Sequence, residues 1–227
     1  MVRRWRYLVL GGVAIAATVV IYLYRQDLGL SGLRGGDSGS APQTDQGAPP
    51  ARPARINWQT VNRPQDGFRV EMPIDPKEIK LPAYNEKGGT ELINMIFSNP
   101  DASTTFAVSW ADNPPVARAG NRSPDRTLNL ARDGALASTQ TALVNETASS
   151  PGGSPARDIV AHNQGGGVMD SRMLYVGSRL YMLTAAFPSM SARRQQDVTR
   201  FFNSFKAADL ADIPVNLPAA SPTDANN

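Results

Sequence analysis

Alternation and helical spacing divide the middle of this chain into strands and two helices. Phe68-Arg69-Val70-Glu71-Met72 alternates strictly, so Phe68, Val70 and Met72 share one face of a predicted strand. Asp66-Gly67 forms the turn before it and Pro73 ends it. Residues 58–61 are a short first strand candidate, and 91–98 (ELINMIFS) and 104–110 (TTFAVSW) are two more, joined by the turn-forming Asn99-Pro100-Asp101. Ser123-Pro124-Asp125 then signals a helix start: a hydroxyl to cap, proline at the first helical position, and an acid near the positive end of the dipole. Leu128, Ala131, Ala135 and Leu136 recur at helical spacing to Gln140. Residues 142–147, 156–163, 168–176 and 179–187 read as strands, the last two joined by Gly177-Ser178, a loop suited to a tight hairpin. Ser189 or Ser191 caps a closing helix with an apolar stripe of Val198, Phe201, Phe202 and Phe205. Phe201 and Phe205 share a face with Val198 and should pack on the strand carrying Tyr181 and Leu183, with Phe202 at the edge. This order predicts an α+β domain: an antiparallel sheet of about six to eight strands flanked by two main helices.

Upstream the pattern changes. Residues 7–24 (YLVLGGVAIAATVVIYLY) carry no charge, and at about 1.5 Å of rise per residue they approach the ~30 Å hydrocarbon core of a bilayer. Arg3, Arg4 and Arg6 precede the run and hold that end in the cytoplasm, while Trp5, Tyr7, Tyr22 and Tyr24 suit the two interfaces. One transmembrane helix should therefore precede the domain. A cleaved signal peptide is the rival reading, since Ala14-Ile15-Ala16 fits a cleavage pattern, but cutting there would leave apolar residues 17–24 on the mature end. The Arg3-Arg4 pair departs from a twin-arginine signal at Trp5-Arg6-Tyr7, and a lipoprotein is excluded by the lack of cysteine. Gly12 and Ala16 have small-xxx-small spacing, although both residues are common in any membrane helix. Residues 25–56 are rich in Gly, Ser, Pro and Gln without apolar periodicity and read as a flexible linker; 209–227 reads as a disordered tail. The expected organisation is 1–6 cytoplasmic, 7–24 anchor, 25–56 linker, 57–208 extracytoplasmic domain and 209–227 tail.

Charge changes the partner picture. The whole chain is formally +3, but residues 1–27 already hold that excess, and the remainder balances nineteen basic against nineteen acidic residues. The basicity is a topology signal, and the electrostatic footprint of a nucleic-acid binder is missing. Without cysteine there is no disulfide, thiol nucleophile, zinc–thiolate site or iron–sulfur cluster. Arginine exceeds lysine, and alanine, glycine and proline are abundant, which reads as the coding bias of a GC-rich bacterium.

Little in the chain carries chemistry. His162 is the only histidine, so a multi-histidine metal site is impossible; it shares a predicted strand with Asp158, and there is no nucleophile-elbow pattern. Gly165-Gly166-Gly167 connects two strands, so a hairpin turn fits better than a phosphate loop feeding a helix. Glu71, Glu91, Asp112 and Asp170 are scattered as on a solvated sheet face, which argues against a paired-acid glycosidase. Asn145-Glu146-Thr147 is a formal glycosylation sequon, without meaning in a bacterium. Trp58, Tyr84 and Trp110 are the pocket-like aromatics, although core packing is the better explanation of such rings. The proline loop that begins at Asn113-Pro114-Pro115 and leads into the first helix is the segment expected to face a partner.

Three stretches carry a family likeness: Gly67-Phe68-Arg69-Val70-Glu71-Met72-Pro73, Arg179-Leu180-Tyr181-Met182-Leu183, and Phe202-Asn203-Ser204-Phe205-Lys206. Across residues 58–206 the chain resembles the PsbP-like superfamily, which includes many bacterial envelope proteins of unknown function. The resemblance implies a central antiparallel sheet between helices and a role in binding or assembly, and it transfers no catalytic residue. The expected protein is thus a non-enzymatic, cofactor-free, single-pass protein of the bacterial inner membrane. Its domain lies in the periplasm or outside and engages a protein partner in the envelope. A binder of a small apolar or amphiphilic ligand is the first alternative and a carboxylate-based hydrolase the second. A cavity lined by Trp58 or Trp110 would favour the former, convergent acids in a cleft the latter.

Overall fold

A computed structural model of the chain describes residues 55–84, 90–112 and 123–208, with the side chains of 82–91 left out of the description. The anchor, nearly all of the linker, the tail and the proline loop with Pro114 and Pro115 lie outside the described residues. Among the described residues no helix is long and apolar enough to cross a membrane.

Among the described residues ten strands and two α-helices follow in the order β1 (Trp58–Arg63), β2 (Phe68–Pro73), β3 (Lys77–Tyr84), β4 (Thr90–Asp101), β5 (Thr104–Asp112), α1 (Pro124–Thr139), β6 (Thr141–Ser149), β7 (Ala156–Asn163), β8 (Val168–Val176), β9 (Arg179–Phe187), α2 (Gln195–Ser204) and β10 (Lys206–Ala207). Seven strands form one antiparallel sheet in the order β3-β4-β5-β9-β8-β7-β6, and β1-β2-β10 form a second, small antiparallel sheet. The domain is α+β in three layers. Helix α1 buries Leu128, Ala131 and Ala135 against Met95, Ile159, Met173 and Met182 on one face of the large sheet. The small sheet and α2 cover the other face, where Phe68, Val70 and Met72 meet Phe106, Trp110, Tyr181, Phe201 and Phe205.

The alternation in β2 is realised as predicted, with Phe68, Val70 and Met72 buried and Arg69 exposed. Every residue of β9 is buried, because a central strand has both faces covered. Gly177 takes a positive φ of 58° in the two-residue loop that closes Val176 onto Arg179. At Gly165-Gly166-Gly167 the chain turns from β7 into β8, with Asn163 Oδ1 accepting the Gly167 N–H at 2.8 Å. Val198, Phe201, Phe202 and Phe205 are all buried; Phe205 lies 5.2 Å from Tyr181, and Phe202 keeps the most exposure of the three rings.

The structure corrects four local expectations. Strand β3 was not foreseen: Pro82 and the charges of Lys77, Glu78 and Lys80 obscure its pattern, yet an outer strand tolerates proline because one edge has no ladder to feed. Ser123 precedes α1 without a side-chain capping bond; its carbonyl instead accepts from Thr127. Ser189 receives the Ala192 N–H in a separate turn, and α2 begins only at Gln195 with Arg194 as its N-cap. Asp170 is no solvated residue of a sheet face: it is buried, because β8 is an inner strand and Arg193 closes over it.

Candidate functional site

Between α2 and the strands β6, β7 and β8 lies an open groove of about 220 Å³. Strand alternation builds its floor. Asn145 and Thr147 face Val160 and Asp158, which stand beside Asp170 and Arg172 on the next strand. The wall comes from Arg193 and Gln195 before and at the start of α2, and from Val198, Thr199, Phe202 and Asn203 on the helix.

Two bidentate ion pairs organise the groove. Arg172 donates from Nε and Nη2 to Asp158 at 2.7 Å each, donates from Nη1 to the Phe202 carbonyl at 3.3 Å, and lies 5.1 Å from the centre of the Phe202 ring. Arg193 donates to both oxygens of Asp170 at 2.7 and 2.6 Å, and this hydrogen bonding raises its pKa above the ordinary guanidinium value. Both carboxylates are therefore paired bidentately with guanidinium groups. The groups left to meet another molecule are neutral amides and hydroxyls on an apolar base: Asn145, Thr147, Gln195, Thr199 and Asn203 over Val160, Val198 and Phe202.

A second cluster lies at the end of β5. Asp112, the last residue of that strand, is held by Arg179 through bonds of 2.6 and 2.9 Å. Arg179 also donates to the Asp66 carbonyl, and the Tyr181 hydroxyl lies 3.1 Å from the carbonyls of Asp66 and Gly67. Burial works against the Arg179 charge, but the bonds to Asp112 and Tyr181 outweigh it and raise its pKa; burial raises that of Tyr181. Arg63 extends the network to Asp66 at 2.7 Å and Glu78 at 2.8 Å, pushing the Glu78 carboxyl below its usual range. These bonds tie the small sheet to the large one beside the end of β5.

The two tryptophans singled out in the sequence do not converge. Trp110 is 2 % exposed, packed edge-on against Phe68 at 5.1 Å with Arg63 over its ring, so it is a core residue and presents no surface to a ligand. Trp58 is half-buried at the opposite end of β2, edge-on to Phe106 at 5.3 Å, with the Arg200 guanidinium 4.8 Å above it. Tyr84 ends β3 opposite Thr90, and its side chain lies outside the described residues, as do Pro114 and Pro115. Neither tryptophan lines the groove. His162 is half-buried on β7 between Ala142 and Val168, its Nε2 without a hydrogen-bond partner among the described residues, while its strand neighbour Asp158 is bound to Arg172. Among the described residues no group of three or more His, Cys, Asp or Glu is placed to hold a metal ion.

No family model and no curated protein matches the chain. Among solved structures it is similar to the solution structure of cyanobacterial PsbP (CyanoP) from Synechocystis sp. PCC 6803, at 9 % identity and a TM-score of 0.46, covering 71 % of this chain and 98 % of that one. A crystal structure from Bacteroides thetaiotaomicron VPI-5482 is similar at 11 % identity and a TM-score of 0.38, over 67 % of this chain and 49 % of that one. A protein of unknown function, PA94 from Pseudomonas aeruginosa, follows at 13 % identity and a TM-score of 0.32, over 60 % and 85 %. These are likenesses of fold, and they assign no site.

Proposed function

We propose that this chain is a single-pass, membrane-anchored binding or assembly protein of the bacterial envelope, with its N-terminus in the cytoplasm and its PsbP-like domain outside. The observation that carries the binding role is the groove beneath α2. Its charges are already satisfied by Asp158–Arg172 and Asp170–Arg193, while neutral donors and acceptors line the opening. A polypeptide partner suits such a surface, because amides and hydroxyls can match a backbone and side chains without a net charge. The apolar-ligand alternative loses its expected support, since the groove is lined by neither Trp58 nor Trp110. The hydrolase alternative draws none from carboxylates held by guanidinium groups. The uncharged run at 7–24 behind three arginines supports the topology.

A photo-crosslinking residue at exposed Asn203 on α2, introduced into the chain in its native membrane, should yield one discrete protein adduct, and the same probe at Lys80 on β3 should not. Equal yields at both sites, or none at Asn203, would remove the groove from consideration. Alkaline-phosphatase fusions after Asn57 should be active; inactive fusions together with active cytoplasmic reporters would overturn the topology.

A further inference from the structure

The two outer strands of the large sheet are built differently. Strand β3 carries Lys77, Glu78 and Lys80 within its first four residues and Pro82 after them, which are devices that keep an edge from pairing with another chain. Strand β6, at the other edge, is nine residues long and contains neither lysine nor proline. Its residues are largely exposed, including Leu143 at 40 % and Val144 at 57 %. Its only charge, Glu146, is bound by Arg132 at 2.7 Å and by Arg157 at 3.0 Å, both within the same molecule. A bulge at Val144 interrupts the ladder to β7, but Asn145–Ser149 runs in unbroken register beyond it.

The pattern of this segment matches itself. In an antiparallel pair of two copies with Thr147 on the two-fold axis, Thr147 meets Thr147, Asn145 meets Ser149 and Glu146 meets Ala148. Thr–Thr is a favourable cross-strand pair, Asn and Ser can exchange a hydrogen bond, and the two glutamates are never opposed. Moving the axis to Glu146 would set like charges face to face, and moving it to Asn145 would set Leu143 against Thr147. We propose that β6 is a self-association edge through which a second copy of this chain continues the sheet across a two-fold axis at Thr147. An axis perpendicular to the sheet keeps equivalent faces on the same side. The two grooves then merge into one trough whose centre is lined by Asn145 and Thr147 of both copies. One strand pair buries less than the ~1,200 Å² of a stable interface, so association is weak and depends on local concentration. The inference stands independently of what the groove binds.

Because the chain contains no cysteine, single substitutions report the geometry directly. Full-length Thr147→Cys in its native membrane, oxidised or treated with a short thiol-bridging reagent, should form a covalent dimer, whereas Lys80→Cys on the other edge should not. Asn145→Cys alone should not dimerise, since its two copies would lie four residues out of register, at roughly 13 Å by strand rise. Asn145→Cys mixed with Ser149→Cys should. Thr147→Lys, which opposes two charges on the axis, should abolish dimers trapped by an amine-independent cross-linker while leaving the far-ultraviolet spectrum and melting curve unchanged. Monomeric Thr147→Cys, or cross-linking of Lys80→Cys to the same extent, would overturn the self-pairing. Asn145→Cys dimerising alone as readily as Thr147→Cys would overturn its register.

Discussion

Asp170 offers the sharpest test of whether the groove is a structural clamp or a reactive centre. Its side chain is 4 % exposed and lies between Val160 on β7 and Ala185 on β9, with both oxygens on Arg193. Removing one member of a buried ion pair typically costs about 3–5 kcal/mol, because the other is left charged and unpaired. The Arg193 side chain keeps 18 % of its surface in solvent and can turn toward water, which lowers the expected cost of Asp170→Ala to about 2–4 kcal/mol. With a urea m-value of about 2 kcal/mol/M, the middle of the usual range, the unfolding midpoint should fall by about 1–2 M. Replacing both groups by apolar ones of similar volume should recover nearly all of it, so Asp170→Leu with Arg193→Met should lie within about 1 kcal/mol of the parent. Tryptophan fluorescence reports the transition, since Trp110 is in the core. The reasoning is refuted if Asp170→Ala changes stability by less than about 0.5 kcal/mol, or if the double variant is no better than the single. A stabilising Asp170→Ala would be more informative still, because an acid retained at a cost to stability is the mark of a functional group.

Three further outcomes follow from packing and titration. Phe205→Ala should cost about 3–5 kcal/mol, since the ring, on the extended residue that follows α2, is 7 % exposed against Phe68 and Tyr181, whereas His162→Ala should cost less than about 1 kcal/mol; similar denaturant midpoints for the two would refute the docking of the segment that leaves α2. Burial raises the Tyr181 pKa, so the neutral phenol is favoured in the fold; its contribution is complete below the ordinary value near ~10 and is lost as pH rises beyond it. Tyr181→Phe should flatten that alkaline loss in a pH series of melting curves. At Gly167 an added Cβ would lie 2.7 Å from Asn163 Nδ2, but at Gly165 it would meet Asn163 only at 3.4 Å, so Gly167→Ala should lower stability by about 1–2 kcal/mol and Gly165→Ala by well under 1.

The fold was legible where local pattern and tertiary environment agree. The hairpin at Gly177-Ser178 joins two strands whose apolar residues leave no alternative register, and the stripe on α2 is long enough to show its face. Strand β3 was hidden because an outer strand needs only one apolar face: Ile79 and Leu81 pack on the core, but Lys77 stands on the same face where an apolar residue would extend the alternation, and Pro82 follows directly. The start of α2 was misplaced because Ser189 can cap any following turn, and here it caps one that does not continue into the helix.

The groove was illegible for a stricter reason. An aspartate in the middle of a strand looks the same whether that strand is outer or inner, and the order β9-β8-β7 that buries Asp170 depends on pairings made across the whole sheet. Its partner Arg193 lies 23 residues away, in a segment with no periodic signal of its own. The sequence does hold one usable hint: Asp158, Asp170 and Arg172 occupy strands predicted to be adjacent, where uncompensated charge on a covered face would be costly. Two acids and an arginine therefore call for a further cation, and the run Arg193-Arg194 before the last helix supplies it. Counting charge across neighbouring strands would have pointed to this face. The choice of Trp58 and Trp110 rested on ring size alone, and ring size cannot separate a binding surface from a core.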